Sequence, residues 1–415
     1  MQRTHSSGLD PSEVEDLRLR TREFIRGPVM DAEPRPGQAL NLAVRRELGA
    51  AAKVAGVYAP HVAREYGGQG LAVEQWSGVF QEAGYSPIGP AVLNCMAPDE
   101  GNMHMLALLG TEQQKRDYLL PLAGGEATSC FAMSEPHPGA GSDPEALSTT
   151  AAPAVGGWII NGHKRFISGA MFAGFVIVMA RTAATENAPA GATMFLVNMD
   201  TPGVTLGAPI HTMDRYLPGG HPHVEFDGVK VLGSAVLGEV GRAFAHAQLR
   251  LGPARLTHCM RWLGLARRAH DIAMDRTNTR NIFGSHISEL GIAQDMIASS
   301  VIDIESSDAI IAKCAALLAS DPKAGSALSS VAKVHCSEAV YRVIDRSLQL
   351  CGGDGVSDGL PLAQYLNEVR PFRIYDGSTE THKWAIARRA TKSRRQSVEA
   401  GEPFLGSVRF YEGGR

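Results

Sequence analysis

The spacing of apolar residues changes twice along this chain. Over residues 12 to about 125 they recur at helical intervals. Ser12-Glu13-Val14-Glu15 reads as a helix start, a hydroxyl cap followed by early acids that suit the positive end of the helix dipole. Gly67, Gly68 and Gly70 break the pattern before a second helical stretch at 73–83. Residues 94–103 predict a loop leading into a helix that closes at Leu109-Gly110. Thr111 is the expected cap of the next helix, and Pro121 its expected end. Between 128 and about 231 the runs shorten, as at 158–160, 166–168, 175–180, 193–199 and 223–231. They are rich in β-branched and aromatic residues and separated by Gly, Pro or Asn, which predicts antiparallel strands. From 242 to 390 long helical patterns return. In one of them Leu328, Val331, Val334, Val340, Val343 and Ile344 lie close to helical spacing, and Gly352-Gly353 ends it. Residues 392–415 are polar and glycine-containing, which predicts a mobile tail. The reading is an α+β, mainly α chain. It has a helical domain over 1–125, a middle antiparallel β-domain over 126–240, a helical bundle over 241–395, and a tail over 396–415.

Composition narrows the function classes. A net charge of −3 argues against a broad nucleic-acid footprint. The six cysteines are scattered without a C-x-x-C pair, which fits reduced thiols better than a disulfide framework or a zinc site. Residues 1–11 are polar, without the apolar block of a secretory signal, and no apolar run approaches the length of a bilayer span. A cytoplasmic protein with no membrane partner and no metal is expected.

Two stretches carry candidate chemistry. Arg373-Ile374-Tyr375-Asp376-Gly377-Ser378-Thr379-Glu380 places a carboxylate before a glycine, ahead of a helical run. The glycine permits a turn that holds Asp376 over a cleft; an ordinary Asp-Gly turn is the bland reading. Phe131-Ala132-Met133-Ser134-Glu135-Pro136, then Gly139-Ala140-Gly141-Ser142-Asp143, follows a strand and offers amides to a polar ring edge or phosphate. It is not a Rossmann fingerprint, because no βαβ unit surrounds it. Ser134 and Ser142 have no neighbouring His or Asp that marks a nucleophile. His221-Pro222-His223 lacks a third metal ligand and reads as an exposed loop. His246, His258 and His270 read as packing residues on helices, and Arg267-Arg268 and Arg388-Arg389 as solvated faces.

These motifs, with Asn161-Gly162-His163-Lys164-Arg165-Phe166-Ile167-Ser168, closely resemble the flavin-binding strands of the acyl-CoA dehydrogenase family. Leu251-Gly252-Pro253-Ala254-Arg255, Arg280-Asn281-Ile282-Phe283-Gly284 and Gln349-Leu350-Cys351-Gly352-Gly353-Asp354-Gly355 continue the match in order, over roughly 12–390. Within the family the chain looks most like the branch containing members 10 and 11, through residues 94–103, 250–255 and His258-Cys259-Met260-Arg261.

The resemblance implies FAD between the β-domain and a C-terminal four-helix bundle. It assigns Phe131, Met133, Ser134, Gly141, Ser142, Phe166 and Ser168 to the flavin side. Arg280 and Phe283 would reach a neighbouring subunit's FAD, and Gln349, Gly352, Gly353, Ser378 and Glu380 would add close contacts. Ser142, Arg255 and Tyr375 would meet the CoA thioester. Asp376 would be the base, at the place where most of the family carries Glu, in an apolar pocket that raises its pKa. Glu380 is a distant second candidate for the base; Ala254 fills the position some relatives use instead. Among the departures, His137-Pro138 looks like an insertion, Phe166 replaces a frequent Trp, and Ile282 and Gly291 replace polar residues near the adenosine. The expected function is acyl-CoA desaturation in lipid metabolism, with an electron-transfer flavoprotein as acceptor and a homodimer or homotetramer as the assembly. The alternatives are a flavin oxidase or monooxygenase, as in nitroalkane-oxidising relatives, and a non-catalytic flavin-containing binding protein.

Overall fold

The computed structural model describes residues 8–184 and 188–402. The first region holds α1 (Pro11–Phe24), α2 (Leu42–Val54), α3 (Trp76–Gly84), α4 (Gly89–Val92), α5 (Asp99–Leu109), α6 (Glu112–Gln114) and α7 (Leu120–Ala123). Asp10, not Ser12, caps α1. Its carboxylate accepts the Ser12 and Glu13 amides at 2.9 and 3.0 Å, and Glu13 accepts the Asp10 amide at 3.0 Å. Asp10 wins because an ionised acceptor bonds more strongly than a hydroxyl. Pro11 then fills the first helical position, where its missing N–H costs nothing. Thr111 caps α6 as expected, accepting the Gln114 amide at 3.2 Å. Pro121 does not stop the chain's helical course at once: a π-turn over Lys115–Leu119 runs directly into α7, which ends two residues beyond it at Ala123.

The middle region is one twisted sheet. Its strands are β1 (Ser129–Ala132), β2 (Thr150–Ala154), β3 (Gly157–Lys164), β4 (Phe175–Thr182), β5 (Gly191–Asn198), β6 (Val204–Pro209), β7 (Pro222–Leu232) and β8 (Val236–Leu237). The order is β6-β7-β3-β2-β4-β5-β8, with β1 joining β4 in parallel at Ser129↔Phe175 and β2 touching β4 in parallel at Thr150↔Arg181. The remaining pairs are antiparallel. The unbroken apolar run of β4 follows from burial on both faces. Phe175, Ile177 and Met179 enter the helical core, whereas Val176, Val178 and Ala180 enter a second core with Phe195 and Phe226. Residues 166–168 are not a strand. Pairing stops at Lys164, and Phe166 adopts a left-handed φ of 58° that no ladder accommodates.

The last region holds α8 (Ala243–Thr279), the small hairpin β9 (Asn281–Ile282) and β10 (Ser285–His286), α9 (Gly291–Ser320), α10 (Pro322–Cys351), α11 (Leu362–Val369) and α12 (Thr379–Glu399). Helix α12 continues through Glu399, so the start of the expected tail is helical; residues 403–415 lie outside the described residues. Among the described residues no helix is long and apolar enough to cross a membrane, no group of acids, His and Cys could hold a metal, and the cysteines are free and buried.

Helix α8 is the axis of the fold, packed by α3, α9 and α10. Its crossing with α3 has a glycine on each side: Gly84 lies against the Arg261 backbone and Gly264 against the Gln81 carbonyl. A methyl group at either position would overlap main-chain atoms, which cannot rotate away. Gly264→Val is therefore expected to destabilise the fold by about 1–3 kcal/mol, seen as a lowered Tm; an unchanged Tm would mean that the two backbones are not in contact.

Candidate active site

The turn bearing Asp376 follows a 3₁₀ segment, Arg370–Arg373, and precedes α12. Asp376 has φ 52° and Gly377 φ 94°. Aspartate tolerates this left-handed geometry better than most side chains, and the bundle holds it there. The Asp376 carbonyl accepts Arg255 Nε at 3.2 Å and His382 Nε2 at 3.0 Å, and the Gly377 carbonyl accepts the buried ammonium of Lys333 at 2.7 Å. The Asp376 amide and its Oδ1 have no partner among the described residues.

The other carboxylate oxygen is tethered. Asp376 Oδ2 lies 2.9 Å from His258 Nε2, so His258 is a site residue and not mere packing. Arg261, one turn on along α8, approaches His258 Nδ1 through Nη2. A guanidinium can only donate, so Nδ1 is the unprotonated nitrogen, and Nε2 carries the proton that goes to Asp376. Burial, reinforced by the Arg261 charge, pushes His258 down to about 4, so the ring is neutral at neutral pH. Its ring packs on Tyr375 at 4.8 Å, whose hydroxyl accepts Trp262 Nε1 at 2.5 Å.

The expectation of an apolar pocket that raises the Asp376 pKa is reversed. Burial alone would raise it, but the His258 hydrogen bond and the positive charges facing it, Arg250 and Arg255 among them, hold it well below the usual carboxylate range. Arg250 is buried, donates to Asn102 Oδ1 at 3.0 Å and lies 4.4 Å over the Phe131 ring. A second carboxyl behaves oppositely. Glu100 on α5 is buried; its Oε1 accepts the Thr257 hydroxyl at 2.7 Å and its Oε2 has no partner among the described residues. Burial pushes Glu100 up. Two carboxyls whose surroundings drive their pKa values apart mark a candidate acid–base centre.

The sheet supplies the opposite wall. Glu135 is buried and accepts Lys164 Nζ at 2.8 Å and the Ser148 and Thr149 amides at 2.6 and 2.9 Å. That folds the 133–149 loop back over the end of β3, where the Arg165 amide reaches the Ser134 carbonyl at 2.9 Å. The segment after β1 that carries Met133 and Ser134 is thereby held beside the one after β3 that carries Phe166 and Ser168. Phe166 is 48% exposed, its ring under the Arg165 guanidinium. Gly141 and Ser142 are exposed further along the loop, as are His137 and Pro138. Ser168 is not alone: its Oγ lies 2.9 Å from His221 Nδ1, and His221 Nε2 lies 2.9 Å from Asp214 Oδ2, so His221 is not a free loop residue. Pro222 is buried and His223 exposed.

Other expected residues lie elsewhere. Arg280 is about 33 Å along α8 from His258, and Gly352 about 28 Å along α10 from Lys333, at 1.5 Å per residue. An Arg276–Asp354 pair joins those two helix ends. Arg280, Phe283, Gln349, Gly352 and Gly353 thus lie at helix ends away from Asp376. Phe283 is 96% exposed, and Gly352 and Gly353 border open space. Ser378 caps α12, and Glu380 is exposed beside it. Arg268 is not solvated: it is buried against Glu33 and the Tyr85 carbonyl. His258 and Arg261 were readable after all. They interrupt the buried stripe Leu251, Ala254 and Leu265 at positions where apolar residues belong.

Three family models match the chain: the acyl-CoA dehydrogenase N-terminal domain over residues 11–126, the middle domain over 130–229 and the C-terminal domain over 241–391. The chain belongs to the acyl-CoA dehydrogenase family. It is 38% identical over 338 residues to the probable acyl-CoA dehydrogenase FadE2 of Mycobacterium tuberculosis, covering 80% of this chain and 82% of that one. Acyl-CoA dehydrogenase family member 11 of Mus musculus is 38% identical over 80% of this chain, which spans only 43% of that protein. A putative acyl-CoA dehydrogenase from Mycobacterium abscessus superposes with a TM-score of 0.84 at 32% identity, covering 93% of this chain and 100% of the other.

The buried Glu100 gives this member of the family a pH-dependent weakness. Its folded pKa lies above the ordinary carboxyl value, so the unfolded chain loses that proton first, and stability falls as pH rises from the unfolded towards the folded pKa. Glu100→Gln keeps the acceptor for Thr257 and removes the ionisation. Its Tm gain over wild type is expected to be larger at about pH 8 than at about pH 4; an equal difference at both would show that Glu100 ionises freely.

Proposed function

We propose that the chain is an FAD-dependent acyl-CoA dehydrogenase that converts an acyl-CoA to the trans-2-enoyl-CoA, with Asp376 as the base. The observation that carries this reading is a carboxylate tethered through one oxygen and free at the other. The residues present fit FAD. The Phe166 ring and Ser134 are exposed, Met133 and Ser168 are half-buried, and Gly141 borders open space, so these groups are accessible to a ring. Phe131, Met133, Ser134, Gly141, Ser142, Phe166, Ser168, Ser378 and Glu380 would hold the flavin. Arg280, Phe283, Gln349, Gly352 and Gly353 would hold the cofactor of a neighbouring copy in a homodimer or homotetramer. Bound FAD supplies the acceptor for the β-hydride, and an electron-transfer flavoprotein would collect the electrons.

The chain's own residues do the rest. Asp376 Oδ1 takes the α-proton, and the electron pair of that C–H bond becomes the new Cα=Cβ bond as the β-hydrogen leaves with its own pair. The unpaired Asp376 amide donates to the thioester carbonyl and stabilises the negative charge that grows there. His258 keeps its bond to Oδ2 throughout. Because Arg261 denies the ring a second proton, His258 does not compete for the one Asp376 collects. Arg255, which also fixes the turn, and Tyr375 would meet the thioester side, with Ser142 at the CoA arm. Aspartate is one methylene shorter than glutamate, so the substrate has to approach the turn that carries it more closely.

Anaerobic addition of acyl-CoAs to the FAD-loaded protein is expected to bleach the flavin, with slow reoxidation in air while ligand stays bound. Rapid peroxide formation would instead mark an oxidase. Asp376→Asn should slow bleaching by about 10²–10⁴-fold at unchanged FAD content; turnover equal to wild type would put the base elsewhere. For the wild type, kcat/KM should stay flat as pH falls to about 5, since the Asp376 carboxyl is held below the ordinary range.

A further inference from the structure

Ser168, His221 and Asp214 form a second hydrogen-bonded chain that the proposed proton abstraction does not use. It is built, not incidental. The Ile167 amide bonds the Pro222 carbonyl at 3.1 Å and the Gly169 amide the Gly220 carbonyl at 2.8 Å, so the segments on both sides of Ser168 and His221 are clamped together. The loop carrying Asp214 is fixed to the bundle by Glu368 of α11, which accepts the Arg215 and Tyr216 amides at 2.5 and 3.3 Å. The side chains of His221 and Asp214 are 14% and 16% exposed.

Hydrogen-bond roles follow from the end of the chain. Burial pushes Asp214 up, but the His221 bond outweighs it and keeps the carboxyl low, so it is an ionised acceptor and His221 Nε2 bears a proton. If the ring is neutral, Nδ1 accepts the Ser168 hydroxyl, and Ser168 turns lone pairs to the cleft. If the ring is protonated, Nδ1–H donates to Ser168 Oγ, and the hydroxyl hydrogen turns outward. One proton on His221 therefore converts Ser168 from acceptor to donor. The groups coupled to this pair from neighbouring elements are Glu368 on α11 and Tyr375 in the base-bearing turn, both of which interact with Asp214.

We propose that His221, backed by Asp214, is a positioning residue that matches Ser168 to the oxidation state of the flavin beside it; this rests on the FAD reading above. The oxidised ring presents an unprotonated nitrogen, which calls for a donor. After two electrons and one proton that nitrogen is itself a donor, which calls for an acceptor. Oxidised protein thus favours protonated His221, and reduced protein favours the neutral ring. On reduction one proton enters the flavin from solvent and one leaves His221 to solvent.

The test is the flavin midpoint potential of the FAD-loaded protein against pH, with dithionite as electron source and no acyl-CoA present. In wild type the potential should lose its pH dependence over the interval where His221 is protonated in the oxidised protein and neutral in the reduced one. His221→Gln, which cannot change protonation, and Ser168→Ala, which removes the messenger, should each restore a single uninterrupted slope. The same slope in wild type and both variants, with FAD retained, overturns this proposal alone. Protein that takes up no FAD overturns it together with the reading it rests on.

Discussion

The proposed chemistry depends on one hydrogen bond, from His258 Nε2 to Asp376 Oδ2, and on the guanidinium that gives it a direction. Without Arg261 the imidazole could carry its proton on either nitrogen or on both. With Arg261 donating to Nδ1, the ring has one place left for a proton and one partner to give it to. The carboxylate is then held at one oxygen, ionised, with the other free to act. The buried cations that hold the turn do so by bonding its main chain, not by ion pairing with its carboxylate. Arg255, Lys333 and His382 all bond main-chain carbonyls of the turn, and the turn holds a left-handed aspartate in exchange.

The fold exists to bring that turn to a sheet. Helix α8 supplies Arg250, Arg255, His258 and Arg261 along one side, and the glycine crossing with α3 sets where Arg261 begins. The sheet meets α8 where Arg250 lies over the Phe131 ring, and the Glu135–Lys164 pair draws the loop after β1 and the end of β3 together. Glu368 then links the sheet's 214–221 loop to the bundle. The two walls are thus tied by charged groups whose partners lie on different elements, an arrangement that fixes geometry more than it adds stability.

Much of this was legible in the chain. The changes of period located the helical, sheet and helical regions, because β4 and α10 bury faces that leave a clear apolar mark. The ordered motifs located Asp376 and the loop at Phe131. Less legible was what long-range folding decides. Phe166 to Ser168 has strand composition, yet the Glu135–Lys164 pair, formed across 29 residues, ends the ladder just before it. His258 looked like packing because its partner Asp376 is 118 residues away in sequence. The sign of the Asp376 shift was misjudged for the same reason: a short polar motif does not show that two arginines from α8 face it. The Asp10 cap was missed because a serine two residues on offered a similar signal.

Arg261 locks His258 as a neutral, Nε2-protonated donor to Asp376. Histidine ¹⁵N resonances, with the His258 signal assigned by its loss in His258→Gln, measure this without substrate or turnover. A neutral ring protonated at Nε2 is expected, one that does not titrate between about pH 5 and 8 but begins to titrate there in Arg261→Met. A wild-type His258 that titrates in that range, or that carries its proton on Nδ1, would contradict it.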